Sequence, residues 1–226
     1  MTASLTLVRF LAGCGACLMA LANAPVATAG TLHANNPAYT IGSQMFDLSI
    51  GGTVGAGGFS GTFDGTPIQF WCAELTQFFT PGNSYVYTPS VPNNATFTLL
   101  GQLFHEAYGA ALGDAEHSAA FQLAVWEIIY DGDLDLLSGG FRVTGDHGHA
   151  ATVTLAQGWL DNLGSFSDNY DITLLSNADH QDFITGGGLP REDAPEPASL
   201  LLVVIGLAVM AMGAMRRRSA QFAPPR

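Results

Sequence analysis

One cysteine of the chain stands apart from the other two and is the side chain with the clearest capacity for chemistry. Cys14 and Cys17 lie in an apolar N-terminal segment, whereas Cys72 lies further along the chain with no other cysteine near it. A single thiol of this kind is a buried small side chain, an intermolecular cross-link or a nucleophile. The nucleophile interpretation requires a second residue that supplies an electrophile or a base.

A glutamine fifty residues later is the candidate second residue. The segment Trp71-Cys72-Ala73-Glu74-Leu75 and the later segment Phe121-Gln122-Leu123-Ala124-Val125-Trp126 together resemble the two signatures of bacterial thioester domains, which are known mainly from surface adhesins. The second signature is matched at every specified position, and in the first Trp71 stands where Tyr, Phe or Leu is usual. The resemblance implies that the Cys72 sulfur and the Gln122 side-chain carbonyl carbon join in a thioester with loss of ammonia. An amine on a partner, such as a protein lysine or another amine-bearing surface molecule, would later open that bond.

The neighbouring side chains are assigned two roles. A thioester must be kept from water, and residues four apart on a helix, such as Gln122 and Trp126, lie on one face. We expect four apolar side chains to shield the bond: Trp71, Phe121, Val125 and Trp126. A proton moves when the bond forms or opens, which requires a carrier. The candidate carriers are Glu74, His105, His117 and Glu127.

Two other functions remain open for the same residues. The first is a non-reactive structural or carbohydrate-binding component of an extracellular polysaccharide or biofilm matrix, in which Cys72, Gln122 and Trp126 are ordinary core residues. The second is a cysteine hydrolase that pairs Cys72 with His105 or His117, although no orienting third residue or oxyanion motif is evident. We therefore expect single-use covalent binding without a cofactor and no enzymatic turnover.

Three aspartates alternate along the chain as at the start of a calcium loop: Asp131, Asp133 and Asp135. An EF-hand requires glycine at its sixth position and a bidentate glutamate at its twelfth. Leu136 and Arg142 stand there instead, which excludes an EF-hand. The sequence favours a solvated loop and no metal, with a loose calcium site as the alternative.

The first 29 residues predict export. They carry one charge, Arg9, followed by an apolar run and the pattern Ala27-Thr28-Ala29, as in a signal peptide cleaved by signal peptidase before Gly30. At the other end, residues 198–215 are apolar or small and are long enough to span a bilayer. Acidic residues precede this span and three arginines follow it, which places the C-terminus in the cytoplasm and the domain outside.

The order of features around the predicted span is itself specific. Pro195-Glu196-Pro197 precedes it, Arg216-Arg217-Arg218 follows it, and a short tail, 219–226, ends the chain. This order resembles the PEP-CTERM sorting signal of Gram-negative bacteria that make extracellular polysaccharide, here over 195–218. The resemblance implies recognition by an exosortase, a transient inner-membrane anchor, and a final place at the outer surface or in the extracellular matrix.

Between these ends we predict one domain, 30–185, and a linker, 186–194. Residues 30–194 hold 18 of the 19 acidic residues and only two arginines, and the whole chain lacks lysine. Such acidity excludes nucleic acid as a partner. Short stretches before Pro89 predict strands, at 45–50, 59–63, 68–72 and 85–87. Three- and four-residue apolar spacing predicts helices over 99–112, 115–131 and 150–163, and strand-like patterns return at 141–143, 170–175 and 182–185. The predicted fold class is α+β, a β-rich sandwich or barrel-like domain with a helical insertion, similar to thioester domains.

Overall fold

The computed structural model describes residues 28–166 and 170–187. Within them, nine strands and three helices follow one another, and the helices fall between the sixth and eighth strands. The strands are β1 (Gly30–Ala34), β2 (Gln44–Leu48), β3 (Gly52–Ala56), β4 (Phe59–Phe63), β5 (Thr66–Cys72), β6 (Ser84–Ser90), β7 (Val143–Gly145), β8 (Ile172–Ser176) and β9 (Phe183–Gly186). The helices are α1 (Ala95–Ala111), α2 (Ala115–Tyr130) and α3 (Ala150–Asp161).

Six strands close into an antiparallel barrel in the order β1-β4-β5-β9-β8-β6. Its interior is aromatic, because alternate residues of a strand point to one side and Phe59, Phe70 and Phe183 all point inward. Their ring centroids lie 4.9 to 5.9 Å apart, and Phe183 packs edge-on against both other rings. β5 is held between β4 and β9, and its pairing with β9 is limited to Trp71 with Ile184 and Cys72 with Phe183.

A second, three-stranded sheet has the order β3-β2-β7. Phe46 and Leu48 of β2 are buried, whereas Asp47 between them faces outward. The register shifts at Asp47 and Leu48, where β7 pairs with β2. This sheet contacts α2 through β2 and β3.

The helix α2 is the central element of the packing. Its N-terminus is capped by Asp114, whose carboxylate accepts a hydrogen bond of 2.9 Å from the His117 N–H. Every residue from Ser118 to Ile128 is buried. A helix that is apolar on all sides belongs in the interior, and α2 packs against α1, α3, β5 and the second sheet.

The predicted fold class is confirmed in its coarse form, a β-rich domain with a barrel and a helical part inserted between strands. Two strands, β1 and β3, were not predicted, and β7 lies at 143–145, two residues later than expected. β7 begins where the Val143 N–H bonds to Leu136 and residue 143 pairs with Leu48, contacts that short-range patterns do not reveal. The first helix begins at Ala95, four residues earlier than predicted, because the Asn94 side chain accepts a hydrogen bond from the Phe97 N–H.

Several predicted segments lie outside the described residues. These are most of the signal peptide, most of the linker, the sorting signal with its span at 198–215, and the tail. None of the helices in the described part of the chain has both the length and the apolar character needed to cross a membrane.

Candidate functional site

Cys72 is the last residue of β5 and lies in the domain interior. Its side chain is 4% exposed, and it forms no disulfide with any described residue. The strand pairing with Phe183 and the hydrogen bond of 2.9 Å from the Ala73 N–H to the Asp182 carbonyl hold this end of β5 in place. Burial raises the pKa of the Cys72 thiol well above its ordinary value. The thiol is therefore protonated at neutral pH and needs a proton acceptor before it can attack.

Gln122 lies in the middle of α2 and is fully buried. Its Oε1 accepts a hydrogen bond of 2.9 Å from the Cys72 backbone N–H, and its Nε2 donates one of 2.9 Å to the Cys72 carbonyl. The whole side-chain amide is thus directed at the one residue that carries the thiol. The structure brings together the two residues that the sequence pairs, although they are fifty positions apart.

The four predicted shielding residues are all buried: Trp71, Phe121, Val125 and Trp126. The rings of Trp71 and Phe121 lie 4.9 Å apart, and Phe104 of α1 packs edge-on against both. The indole N–H groups of Trp71 and Trp126 have no hydrogen-bond partner among the described residues. Water is excluded from this region, which any internal acyl donor would require.

The four predicted proton carriers lie in different surroundings. Glu74 is half-buried and accepts a hydrogen bond from the Thr76 hydroxyl. His105 is exposed on α1, and His117 is partly exposed and pairs with Asp114 at 2.9 Å. Glu127 is fully buried, but its Oε1 accepts from the Leu134 N–H at 3.1 Å. None of the hydrogen bonds between described residues joins any of the four to Cys72 or to Gln122.

Three tyrosines near Cys72 were not predicted from the sequence. Burial is the main cause that raises the pKa of Tyr39, Tyr87 and Tyr130, and at high pH an ionised Cys72 acts in the same direction on each. Tyr39 donates to the Gly55 carbonyl, Tyr87 donates to the Gln181 carbonyl, and the Tyr130 oxygen accepts from the Leu75 N–H. They come from a loop, a barrel strand and the end of α2, so no local sequence pattern links them to the cysteine.

The acidic segment after α2 is arranged differently from its sequence pattern. Asp131 and Asp133 group with Glu127, and one carboxylate oxygen of each lies within 4.8 Å of the others. The Asp135 carboxylate instead accepts from the Leu137 N–H at 3.0 Å and the Ser138 hydroxyl at 2.9 Å. Burial, followed by the neighbouring Asp133 and Asp131 carboxylates, raises the pKa of Glu127 to about 8.

Comparison with known proteins identifies the C-terminal part of the chain. Residues 193–218 match the model of the PEP-CTERM protein-sorting motif. No characterised protein and no solved structure matches the chain. The predicted sorting signal is therefore confirmed, whereas the resemblance of the domain to thioester domains stays a prediction. The chain carries a PEP-CTERM sorting motif, which implies an exported protein that is sorted to the cell envelope by an exosortase.

Proposed function

We propose that this protein forms an internal thioester between the Cys72 sulfur and the Gln122 side-chain carbonyl carbon. The observation that carries the proposal is the pair of 2.9 Å hydrogen bonds between the Gln122 amide and the backbone of Cys72. They hold the amide against the residue that bears the nucleophile, and holding two reacting groups in place removes much of the entropic barrier to their reaction.

The same hydrogen bonds suit the reaction electronically. When the sulfur attacks, the carbonyl oxygen of Gln122 gains negative charge, and the Cys72 N–H already donates to that oxygen. A backbone donor aimed at a developing oxyanion lowers the barrier to acyl transfer. The S–H bond breaks, the S–C bond forms, the C–N bond of the amide breaks, and the amide nitrogen leaves as ammonia with the thiol proton.

Capture of a partner opens the thioester, and Cys72 is then the leaving group. An amine attacks the thioester carbonyl, an amide bond forms between the partner and residue 122, and Cys72 is released as a thiol after a proton transfer. The product is stable, so each molecule acts once and does not turn over. The absence of lysine from the chain suits this chemistry, because no lysine of its own competes for the bond.

The proposed biological role is covalent adhesion by an exported protein at the outer surface or in the extracellular matrix. The partner is an amine-bearing surface molecule or a protein lysine. The sorting motif supports delivery to the cell envelope, and the strongly acidic domain attracts cationic amines at long range.

Amine labelling tests this proposal. Purified protein is incubated with methylamine or with a fluorescent primary amine, and the modified residue is located by peptide mass spectrometry. Modification of residue 122 is expected in the native protein and is expected to be absent in Cys72→Ala. Gln181→Ala is the matched control, since the Gln181 amide is also largely buried and donates to a carbonyl, that of Glu74, at 2.6 Å. Equal labelling of Cys72→Ala, or no labelling of the native protein, would contradict the proposal and favour a non-reactive matrix component.

A further inference from the structure

We propose that Glu127, Asp131 and Asp133 form a calcium-binding site that ties the loop after α2 to the end of that helix. One carboxylate oxygen from each residue lies within 4.8 Å of the others, a spacing at which one ion can touch all three. The site does not rest on the thioester, because neither Cys72 nor Gln122 belongs to it.

The loop orients each carboxylate through the backbone. The Leu134 N–H donates to Glu127 Oε1 at 3.1 Å, the Phe141 N–H donates to Asp131 Oδ2 at 3.1 Å, and the Asp135 N–H donates to Asp133 Oδ1 at 3.1 Å. In each residue the second oxygen takes no hydrogen bond from a backbone N–H of the described residues. Those second oxygens remain available to a ligand.

The buried oxygen of Glu127 is the observation that points to a ligand. Glu127 is fully buried, and its Oε2 has no partner in the described part of the chain. A buried carboxylate oxygen without a partner is costly, since it has lost water and gained nothing in return. This oxygen belongs to the carboxylate that faces Asp131 and Asp133, so a cation at that position would satisfy all three groups.

The charges of the cluster are not balanced by protein side chains. Neither of the two ion pairs within residues 28–166 and 170–187 includes Glu127, Asp131 or Asp133. Arg142, the nearest arginine in sequence, donates to the Gly139 carbonyl. A divalent cation at this position would supply positive charge that the described side chains do not.

The chemistry of the ligands selects the ion. All three offer hard oxygen atoms, Glu127 from α2 and the two aspartates from the segment that follows it, and the aspartates are open to solvent, which can complete the coordination shell with water. Calcium tolerates six to eight oxygen ligands in flexible geometry, whereas magnesium demands a near-ideal octahedron. The observed site differs from the one that the sequence alternation suggests, because Glu127 replaces Asp135 as the third carboxylate.

Calcium titration of the full-length protein tests the site. The protein is purified in detergent, stripped with EGTA and titrated with CaCl₂ by calorimetry, while thermal unfolding is followed by circular dichroism. At a calcium concentration of about 100 times Kd, the midpoint of unfolding is expected to rise by about 5–10 °C. No binding heat and no shift at millimolar calcium would overturn the proposal.

Three variants locate the ion. Glu127→Gln and Asp133→Asn are each expected to weaken calcium binding by roughly 10-fold or more, from the loss of one charged ligand. Asp133 is exposed, so its variant reports on binding even if the buried substitution impairs folding. Asp135→Asn is the matched control and is expected to leave Kd within about twofold. Unchanged affinity in Asp133→Asn would overturn the site, and an equal shift with magnesium would overturn the choice of ion.

Discussion

Gln122 and Glu127 are two of the polar side chains that α2 buries, and they differ in how their polar atoms are satisfied. Gln122 directs both ends of its amide to the backbone of Cys72 at 2.9 Å. Glu127 receives one hydrogen bond from the Leu134 N–H and keeps one oxygen without a partner in the described residues. The Gln122 amide joins two parts of the chain, whereas one oxygen of Glu127 has room for a partner that the described residues do not supply.

This difference predicts different effects of substitution at the two positions. At Gln122 the polar atoms are paired, so removing the amide should damage the fold whether or not the amide also reacts. At Glu127 the pairing is incomplete, so replacing the carboxyl by an amide should cost the fold little and should change ion binding instead.

The largest effect is expected at Gln122. In a Cys72→Ala background, where no thioester can form, Gln122→Met keeps the length of the side chain but leaves the N–H and carbonyl of residue 72 buried without partners. Two unsatisfied backbone groups cost about 2–5 kcal/mol in the free energy of unfolding. Urea denaturation of the single and double variants measures the difference, and a loss below about 1 kcal/mol would show that the contact is weak.

The next effect is a loss of stability at high pH, which the free Cys72 thiol should cause. Because the folded protein raises the pKa of Cys72, the folded state holds its proton when the unfolded chain begins to lose it near the ordinary value of 9.0. The stability present below that pH should therefore fall as pH rises above it, by at most about 1.4 kcal/mol per pH unit. Gln122→Met keeps the thiol free, so denaturation of this variant at pH 8 and pH 10 measures the fall.

The double variant Cys72→Ala, Gln122→Met is the control for that measurement, since it contains the same tyrosines and lacks the thiol. The fall in stability should be steeper in the variant that keeps Cys72. Equal pH profiles in the two proteins would mean that the thiol ionises as easily in the folded chain as in the unfolded one.

The smallest effect on stability is expected at Glu127. In calcium-free buffer at neutral pH, Glu127→Gln should change the free energy of unfolding by less than about 1 kcal/mol, because the new amide still offers an oxygen to the Leu134 N–H and is uncharged, as is a Glu127 carboxyl with a pKa of about 8. Urea denaturation in EGTA tests this. A loss as large as that of Gln122→Met would remove the distinction between the two positions.

Much of the framework could be predicted from short-range patterns. The bounds of β4 match the prediction, and α2 ends one residue earlier than expected, since alternation, helical spacing and the Asp114 cap are local signals. β1 was not predicted because Gly30–Ala34 directly follows the predicted leader, and β3 was not predicted because Gly52–Ala56 is short and contains two glycines. Both become strands through pairing with distant partners.

In the candidate site, too, sequence patterns predict some residues, whereas others come together only in the folded chain. The pairing of Cys72 with Gln122 was predicted from the resemblance to a family signature. In the cluster around Glu127, the alternating aspartates predicted Asp131 and Asp133 but not Glu127 itself. Gly132 and Leu134 turn the chain with φ near +70°, so that Asp133 faces Glu127 and Asp135 faces away. Tyr39 and Tyr87 reach the surroundings of Cys72 only through the fold, and no spacing rule connects them.

The most direct test of the central claim is the intact mass of the purified native protein. The thioester predicts a mass lower than that of the processed sequence by one ammonia, and methylamine treatment should raise it by one methylamine. Cys72→Ala should show the full mass of its own sequence and no response to methylamine. A native mass equal to that of the processed sequence, unchanged by methylamine, would contradict the thioester and leave the contact between Gln122 and Cys72 as part of the core alone.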